Sequence, residues 1–342
     1  MDTIAPLPIY AYSPLSSPDS IRILVLHPSE DHLAPLLCDL IHDDRHRILV
    51  SLEQGRGYEA VSYTWGDPVF SHEILCNYGA TKLAITPNVD SLLRHLRKKT
   101  NVRRLWVDAI CLSQKNHDEK RIQVCLMGEI YRQARKVHIW LGDGLGFTKE
   151  SRRTIQQTDR NDLTVSVRHI ASKFYPTDEE LLEQTHMFLH SPWFQRRWTI
   201  QEAALNNHTV VRFGSSKIPW EEMSNSLEIL QTNHDLSLDD FALTSLETAL
   251  AIRSRRGTVL QLLYKHHRAQ CFDPRDRIAA LLSVATNETS HVYAGSKFTD
   301  TLVQWTVDYD ISWAENYGLF AQSAIINGHR DRSWPSWVPD WS

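Results

Sequence analysis

The run Leu105-Trp106-Val107-Asp108-Ala109-Ile110-Cys111-Leu112 limits the choice of fold more than any other stretch. It is apolar over the length of a strand, is entered from Arg103-Arg104, and leaves through Ser113-Gln114. A strand apolar on both faces belongs inside a parallel sheet covered by helices on each side. This one ends on a carboxylate, Asp108. The segments around it alternate in type. Tyr58 to Trp65 is strand-like and stops at the turn signal Gly66-Asp67-Pro68. Thr86-Pro87 opens a helix with Val89, Leu92, Leu93 and Leu96 on one face. A second helix, over about 117–135, starts with Asp118-Glu119 and finishes with Arg132, Arg135 and Lys136, charges that suit both ends of its macrodipole. Its apolar residues, from Ile122 through Cys125 to Tyr131, cover more than one face and predict deep packing. Val137 to Leu141 is a third strand, closed by Gly142-Asp143-Gly144. The alternation predicts an α/β fold: a parallel sheet flanked by helices, with right-handed crossovers.

The remaining segments attach to this frame. Residues 1–57 read as a lead-in with two candidate edge strands, Ile21 to Leu26 and Arg47 to Val50, around a polar, His-containing middle. Ile74-Leu75-Cys76 and Lys82 to Ile85, around Asn77-Tyr78-Gly79-Ala80, form a hairpin pattern. Residues 143–190 read as a polar, helical insertion. Ser191-Pro192 then begins a helix that runs from Trp193 to Leu205, with Phe194, Trp198 and Glu202 at i, i+4 and i+8 on one face. Thr209 to Phe213 supplies a fourth strand. From about 220 the pattern is helical: Trp220 to Leu230, Phe241 to Ile252, Val259 to His266, and Ile278 to Ala285 after Asp273-Pro274-Arg275-Asp276-Arg277. The chain thus divides into a lead-in (1–57), an α/β domain (58–232) with insertion 143–190, and a helical C-terminal region (233–342).

Composition removes several classes. With 342 residues, 42% hydrophobic and 23% charged, the chain can bury a sizeable core. A formal net charge of −4 supplies no global field for nucleic acid or an anionic membrane. No apolar run is long enough to span a membrane, and the start lacks a signal-peptide pattern. The five cysteines have no short paired spacing, and several lie in apolar runs, which argues for reduced, buried thiols and a cytoplasmic address. His186 and His190 stand at i, i+4, but without the glutamate of a zinc-protease motif or a nearby cysteine pair no metal site is expected. Gly142-Asp143-Gly144-Leu145-Gly146 has Phe147 where the dinucleotide fingerprint needs its last glycine, and reads as a plain turn.

In an open parallel sheet, ligands bind outside the carboxyl ends of the strands. Trp65-Gly66-Asp67, Asp108 to Gln114 and Gly142-Asp143 all reach that edge, and the helix bearing Glu202 follows them. The candidate cleft is therefore built from Ser62, Trp65, Asp108, Trp198 and Glu202, with Arg196 and Arg197 as neutralising partners. Strand-end carboxylates also cap helices and pair with arginines, which is the purely structural account of the same residues.

Three blocks in order, Tyr58-Glu59-Ala60-Val61-Ser62-Tyr63-Thr64-Trp65-Gly66-Asp67-Pro68, the Leu105 to Gly142 segment, and Trp193-Phe194-x-Arg196-x-Trp198-x-x-Gln201-Glu202, resemble the heterokaryon incompatibility (HET) domain family of filamentous fungi. The resemblance runs from about Ile21 to about Trp220. Asp273-Pro274-Arg275-Asp276-Arg277-Ile278 and Pro335 to Ser342 look like segments that follow the domain in relatives. The family implies a role in non-self recognition or programmed cell death, and a fold like that of Toll/interleukin-1 receptor (TIR) domains. The first strand of TIR domains is matched loosely by Tyr58 to Ser62 or Tyr63, and their second-strand aspartate by Asp108. In the NAD-cleaving members a catalytic glutamate follows a tryptophan by four positions, as Glu202 follows Trp198. The insertion and the packed helix after the second strand depart from a minimal TIR domain.

The resemblance implies that Glu202 is catalytic, stabilising positive charge on the ribose as the nicotinamide–ribose bond of NAD breaks. Trp65 and Trp198 would wall the site, Asp108 orient, and Arg196 contact an anion or keep Glu202 ionised. NAD is then a substrate, and no cofactor is expected. The other mode left open is a signalling or assembly module that kills through self-association, as a homo-oligomer, or through binding an upstream recognition protein. Neither mode calls for nucleic acid or a membrane span.

Overall fold

The computed structural model describes residues 6–45, 47–48, 57–143, 188–232, 238–254, 257–285 and 307–326. Its strands are β1 (Ser20–Leu26), β2 (Leu37–Asp44), β3 (Glu59–Tyr63), β4 (His72–Cys76), β5 (Thr81–Ile85), β6 (Arg103–Trp106), β7 (Lys136–Trp140), β8 (Thr209–Phe213) and β9 (Ser216–Pro219). They form one sheet in the order β5-β4-β2-β1-β6-β3-β7-β8-β9. The block β6-β3-β7-β8 is parallel throughout, in the register Glu59 to Leu105, Glu59 to Lys136 and Val137 to Thr209. All five residues of β3 are buried, as a strand covered on both faces requires.

The α/β class holds, with corrections to its parts. The sheet is mixed, because β1 pairs antiparallel with both β2 and β6. The lead-in strands are interior, and β5 and β9 form the edges. The second lead-in strand is Leu37–Asp44, the polar segment; Arg47 and Ile48 are helical, and 49–50 lie outside the described residues. β2 pairs on both sides, so backbone hydrogen bonding overrides its weak apolar pattern. The 105–112 run is not one strand either. It leaves the sheet after Trp106, and Asp108–Cys111 is a single helical turn, α2. Most of the insertion expected over 143–190 and the Trp/Pro segment 334–341 lie outside the described residues.

Helix α1 (Pro87–Leu96) is capped by the Thr86 hydroxyl, which accepts from the Val89 amide, and it buries Val89, Leu92, Leu93 and Leu96. Its Asn88 ties two strand ends together, donating to the Thr64 carbonyl at 2.5 Å and accepting from Trp140 Nε1 at 2.9 Å. Helix α3 (His117–Gln133) is capped by Asn116. Met127, Ile130 and Tyr131 are buried and Val124 and Leu126 pack partly against the core, whereas Ile122 and Cys125 are exposed. The other four cysteines are also free thiols, with Cys38, Cys76 and Cys111 buried. Tyr131 Oη donates to the Val61 carbonyl at 3.0 Å and fixes α3 against β3. Strand β7 separates two cores, with Trp140 in the first and Ile139 in the second. The second core is completed by helices α5 (Trp220–Thr232), α6 (Asp240–Ser254), α7 (Val259–Lys265), α8 (Asp276–Leu282) and α9 (Trp313–Ile326), numbered after α4 described below.

A buried charge network pins the parallel block from inside. Glu59 on β3 accepts from Arg103 Nε of β6 at 2.7 Å and from His138 Nε2 of β7 at 2.9 Å. Arg212 Nε of β8 donates to His138 Nδ1 at 3.0 Å, which places the imidazole proton on Nε2, facing Glu59. Burial pushes His138 down to about 4, so it is neutral at pH 7. Burial opposes ionisation of Glu59, but the His138 hydrogen bond and the Arg103 charge hold it well below the usual carboxylate range. Glu59→Ala strands buried donors on the two strands that flank β3. The expected cost is about 3–5 kcal/mol, read from urea unfolding at pH 7; a change within the noise would mean that the network contributes nothing.

Candidate functional site

The site begins where β3 ends. Ser62 is fully buried, and its strand neighbour Tyr63 is the last residue of β3. The second stretch that faces it is not one helix. Pro192–Gln195 forms a single 3-10 turn capped by the Ser191 hydroxyl, Arg196 is extended, and helix α4 (Trp198–Ala204) starts afresh. The cause is a pairing far along the chain: Gln270 donates its amide to the Gln195 carbonyl at 2.6 Å and accepts the Arg197 amide at 2.8 Å. An extended bridge residue cannot also be helical, so Phe194 does not share a face with Trp198 and Glu202. Arg197 is buried and donates to the carbonyls of His266, Ala269 and Arg277, so it is no partner of Glu202.

The break turns α4 so that Glu202 meets β3. Ser62 Oγ donates to Glu202 Oε2 at 2.5 Å, and Trp193 Nε1 donates to Ser62 Oγ at 2.7 Å. With the indole occupying an acceptor position, the single hydroxyl proton points at the carboxylate. Glu202 is 2% exposed. Burial pushes it up to about 7, against the lowering charge of Arg196 and the Ser62 hydrogen bond, while Asp108 adds an upward push. Arg196 donates to the Tyr63 carbonyl and acts on Glu202 through its field.

The other predicted residues surround a cleft of about 880 Å³. Trp65 Nε1 donates to Asp108 Oδ2 at 2.8 Å, and Asp108 Oδ1 accepts the Ala109 amide at 2.7 Å. Asp108, the first residue of the α2 turn, thus anchors the indole. Trp65, Asp108, Arg196 and Trp198 line the cleft. Ser62 and Glu202 do not line it; they form the buried pair to which Arg196 and Asp108 are electrostatically coupled. The structure therefore gathers the six residues into two layers: four on the cleft and two buried.

Four residues escaped the sequence reading. Trp193 was placed only at a helix start, yet it backs Ser62. Tyr63 has a buried hydroxyl near Asp108, outside hydrogen-bonding geometry, and burial pushes it well above the usual phenol range. Asp276 accepts from Trp198 Nε1 at 3.0 Å and from the Tyr309 hydroxyl at 2.6 Å, and burial raises its pKa. The signal for Asp276 was the charge cluster Asp273-Pro274-Arg275-Asp276-Arg277, which reads equally well as a helix cap. No signal pointed to Tyr309. Among the described residues, no group of three or more His, Cys, Asp or Glu side chains could hold a metal ion.

Fold and site together define an α/β domain with a carboxylate buried beside a strand-end cleft. Residues 58–202 match the family model described as Heterokaryon incompatibility protein (HET). Over 266 residues the chain is 27% identical to "Heterokaryon incompatibility protein 6, OR allele" of Neurospora crassa, a match that covers 66% of this chain and 38% of that protein. The chain thus spans well under half the length of this relative. No solved structure matches it. Among the described residues no helix is long and apolar enough to cross a membrane.

The raised pKa of Glu202 has a sign for stability. A carboxyl that titrates at about 7 folded and 4.5 unfolded contributes stability that is fully present below about pH 4.5 and lost as pH rises through about 7. The loss amounts to about 3 kcal/mol. Glu202→Gln keeps the shape and the Ser62 partner without the titration. Its unfolding free energy should stay level where that of the wild type falls; parallel pH curves for the two proteins would contradict the assignment.

Proposed function

We propose that this chain is an effector of heterokaryon incompatibility, acting in non-self recognition and programmed cell death, and that it cleaves NAD at the nicotinamide–ribose bond. The match to the HET family model and the name of the Neurospora relative support the first part. The second rests on one observation: a buried carboxylate with a pKa near neutrality, under the field of an arginine, beside a cleft of cofactor size at the carboxyl ends of parallel strands.

The chemistry suits those groups. As the bond between ribose C1′ and the pyridinium nitrogen lengthens, the bonding pair moves to nicotinamide, which leaves neutral and needs no proton. Positive charge builds on the ribose, and ionised Glu202 stabilises it. Water then adds its oxygen to C1′ and gives up a proton, for which a carboxylate of pKa about 7 is a matched acceptor. Ser62 holds Glu202 in its rotamer, Trp65 and Trp198 wall the base, and Asp108 fixes Trp65. Since Glu202 lies off the cleft lining, substrate reaches it by displacing the Arg196 and Trp198 side chains.

A second reading, a non-catalytic module acting through self-association or a recognition partner, draws on that same offset. A Glu202 closed off by Ser62 and Trp193 would then be a buried structural contact. The purified 342-residue chain incubated with NAD separates the two. Catalysis predicts nicotinamide release that increases with pH through about 7, and a loss of at least about 100-fold in Glu202→Gln. No release by wild-type protein at any pH would reject the enzyme and leave the module.

A further inference from the structure

Part of the cleft lining comes from outside residues 58–202. It is a strap, Gln270 to Asp276, with Tyr309 beside it. The strap is held at both ends. Gln270 pairs with the backbone on either side of Arg196, and Asp276 takes hydrogen bonds from Trp198 and Tyr309. Between them Asp273 forms a forked pair with Arg275, whose Nη1 donates to the carbonyls of Tyr309 at 2.6 Å and Ile311 at 3.1 Å. The carboxylates and cations of this stretch thus hold backbone in place.

One side chain does not. Phe272 lines the cleft, sits on this fixed backbone, and is fully exposed to solvent. An aromatic ring in water on a cleft, with none of the described residues covering it, is a stacking surface for a planar ligand. Lys120 lines the same cleft and offers a cation to phosphate. Resting on the reading of the cleft as a dinucleotide site, we propose that the strap is its base-binding wall and that Phe272 stacks on the base farther from the broken bond. The adenine half of the substrate is then recognised by residues outside the segment that matches the HET model, and that segment alone holds an incomplete site.

The test compares NAD with nicotinamide mononucleotide, which has the reacting half only, and adds ADP-ribose binding followed by tryptophan fluorescence. Phe272→Ala removes a side chain that is fully exposed among the described residues, so its thermal midpoint should equal that of the wild type. It should raise KM for NAD about tenfold, the size of one base stack, with kcat and the KM for the mononucleotide unchanged. ADP-ribose affinity should fall by the same factor, and Phe272→Tyr should restore both. Weakened ADP-ribose binding in the alanine variant, without nicotinamide release by any protein, supports the stacking wall and rejects cleavage. Release with wild-type KM and affinity in Phe272→Ala leaves cleavage standing and overturns the wall. Failure of wild-type protein to bind ADP-ribose overturns it as well.

Discussion

The hydrogen bond from Ser62 to Glu202 joins the end of the central strand to a helix that, without the break before it, would present a different face. Burying a carboxylate is costly unless hydrogen bonds or charge meet it. Here one hydroxyl, backed by the Trp193 indole, and the field of Arg196 offset only part of that cost. Much of the surrounding structure keeps that contact in place. Gln270 forces the chain extended at Arg196, three carbonyls hold Arg197, and Asp276 holds Trp198, so α4 has little freedom to roll.

Two buried glutamates show how differently the fold treats the same group. Glu59 sits among Arg103, Arg135 and His138, and its proton is lost far below neutrality. Such a carboxylate is part of the scaffold. Glu202 has one hydroxyl partner and titrates at about 7. Stability alone would favour an uncharged residue there, and keeping a poised carboxylate at a strand end is the arrangement that proton-transfer chemistry uses.

Local pattern made much of the frame legible. The hairpin, the Thr86-capped helix, the β8 strand and the four helices between 220 and 285 follow from turn residues, caps and periodicity, and they stand close to where those signals put them; the helix Trp313–Ile326 had no such signal. What local pattern missed depends on distant partners. Strand β2 is polar and exists because β1 and β4 flank it. The helix expected from Trp193 to Leu205 is broken by a bridge to Gln270, which no spacing within the helix encodes. At the site, Ser62, Trp65, Asp108, Arg196, Trp198 and Glu202 were placed by strand ends and by family resemblance, and they do converge. Their division into cleft and buried layers, and the part played by Trp193 and Asp276, arise from tertiary contacts alone.

Glu202 is a buried, shielded carboxyl whose ionisation lies near neutrality. Infrared difference spectra of wild type minus Glu202→Gln, recorded across pH, isolate the carbonyl band of its protonated form. This band should disappear with a midpoint of about 7. A midpoint at the ordinary carboxylate value of about 4.5 would contradict it.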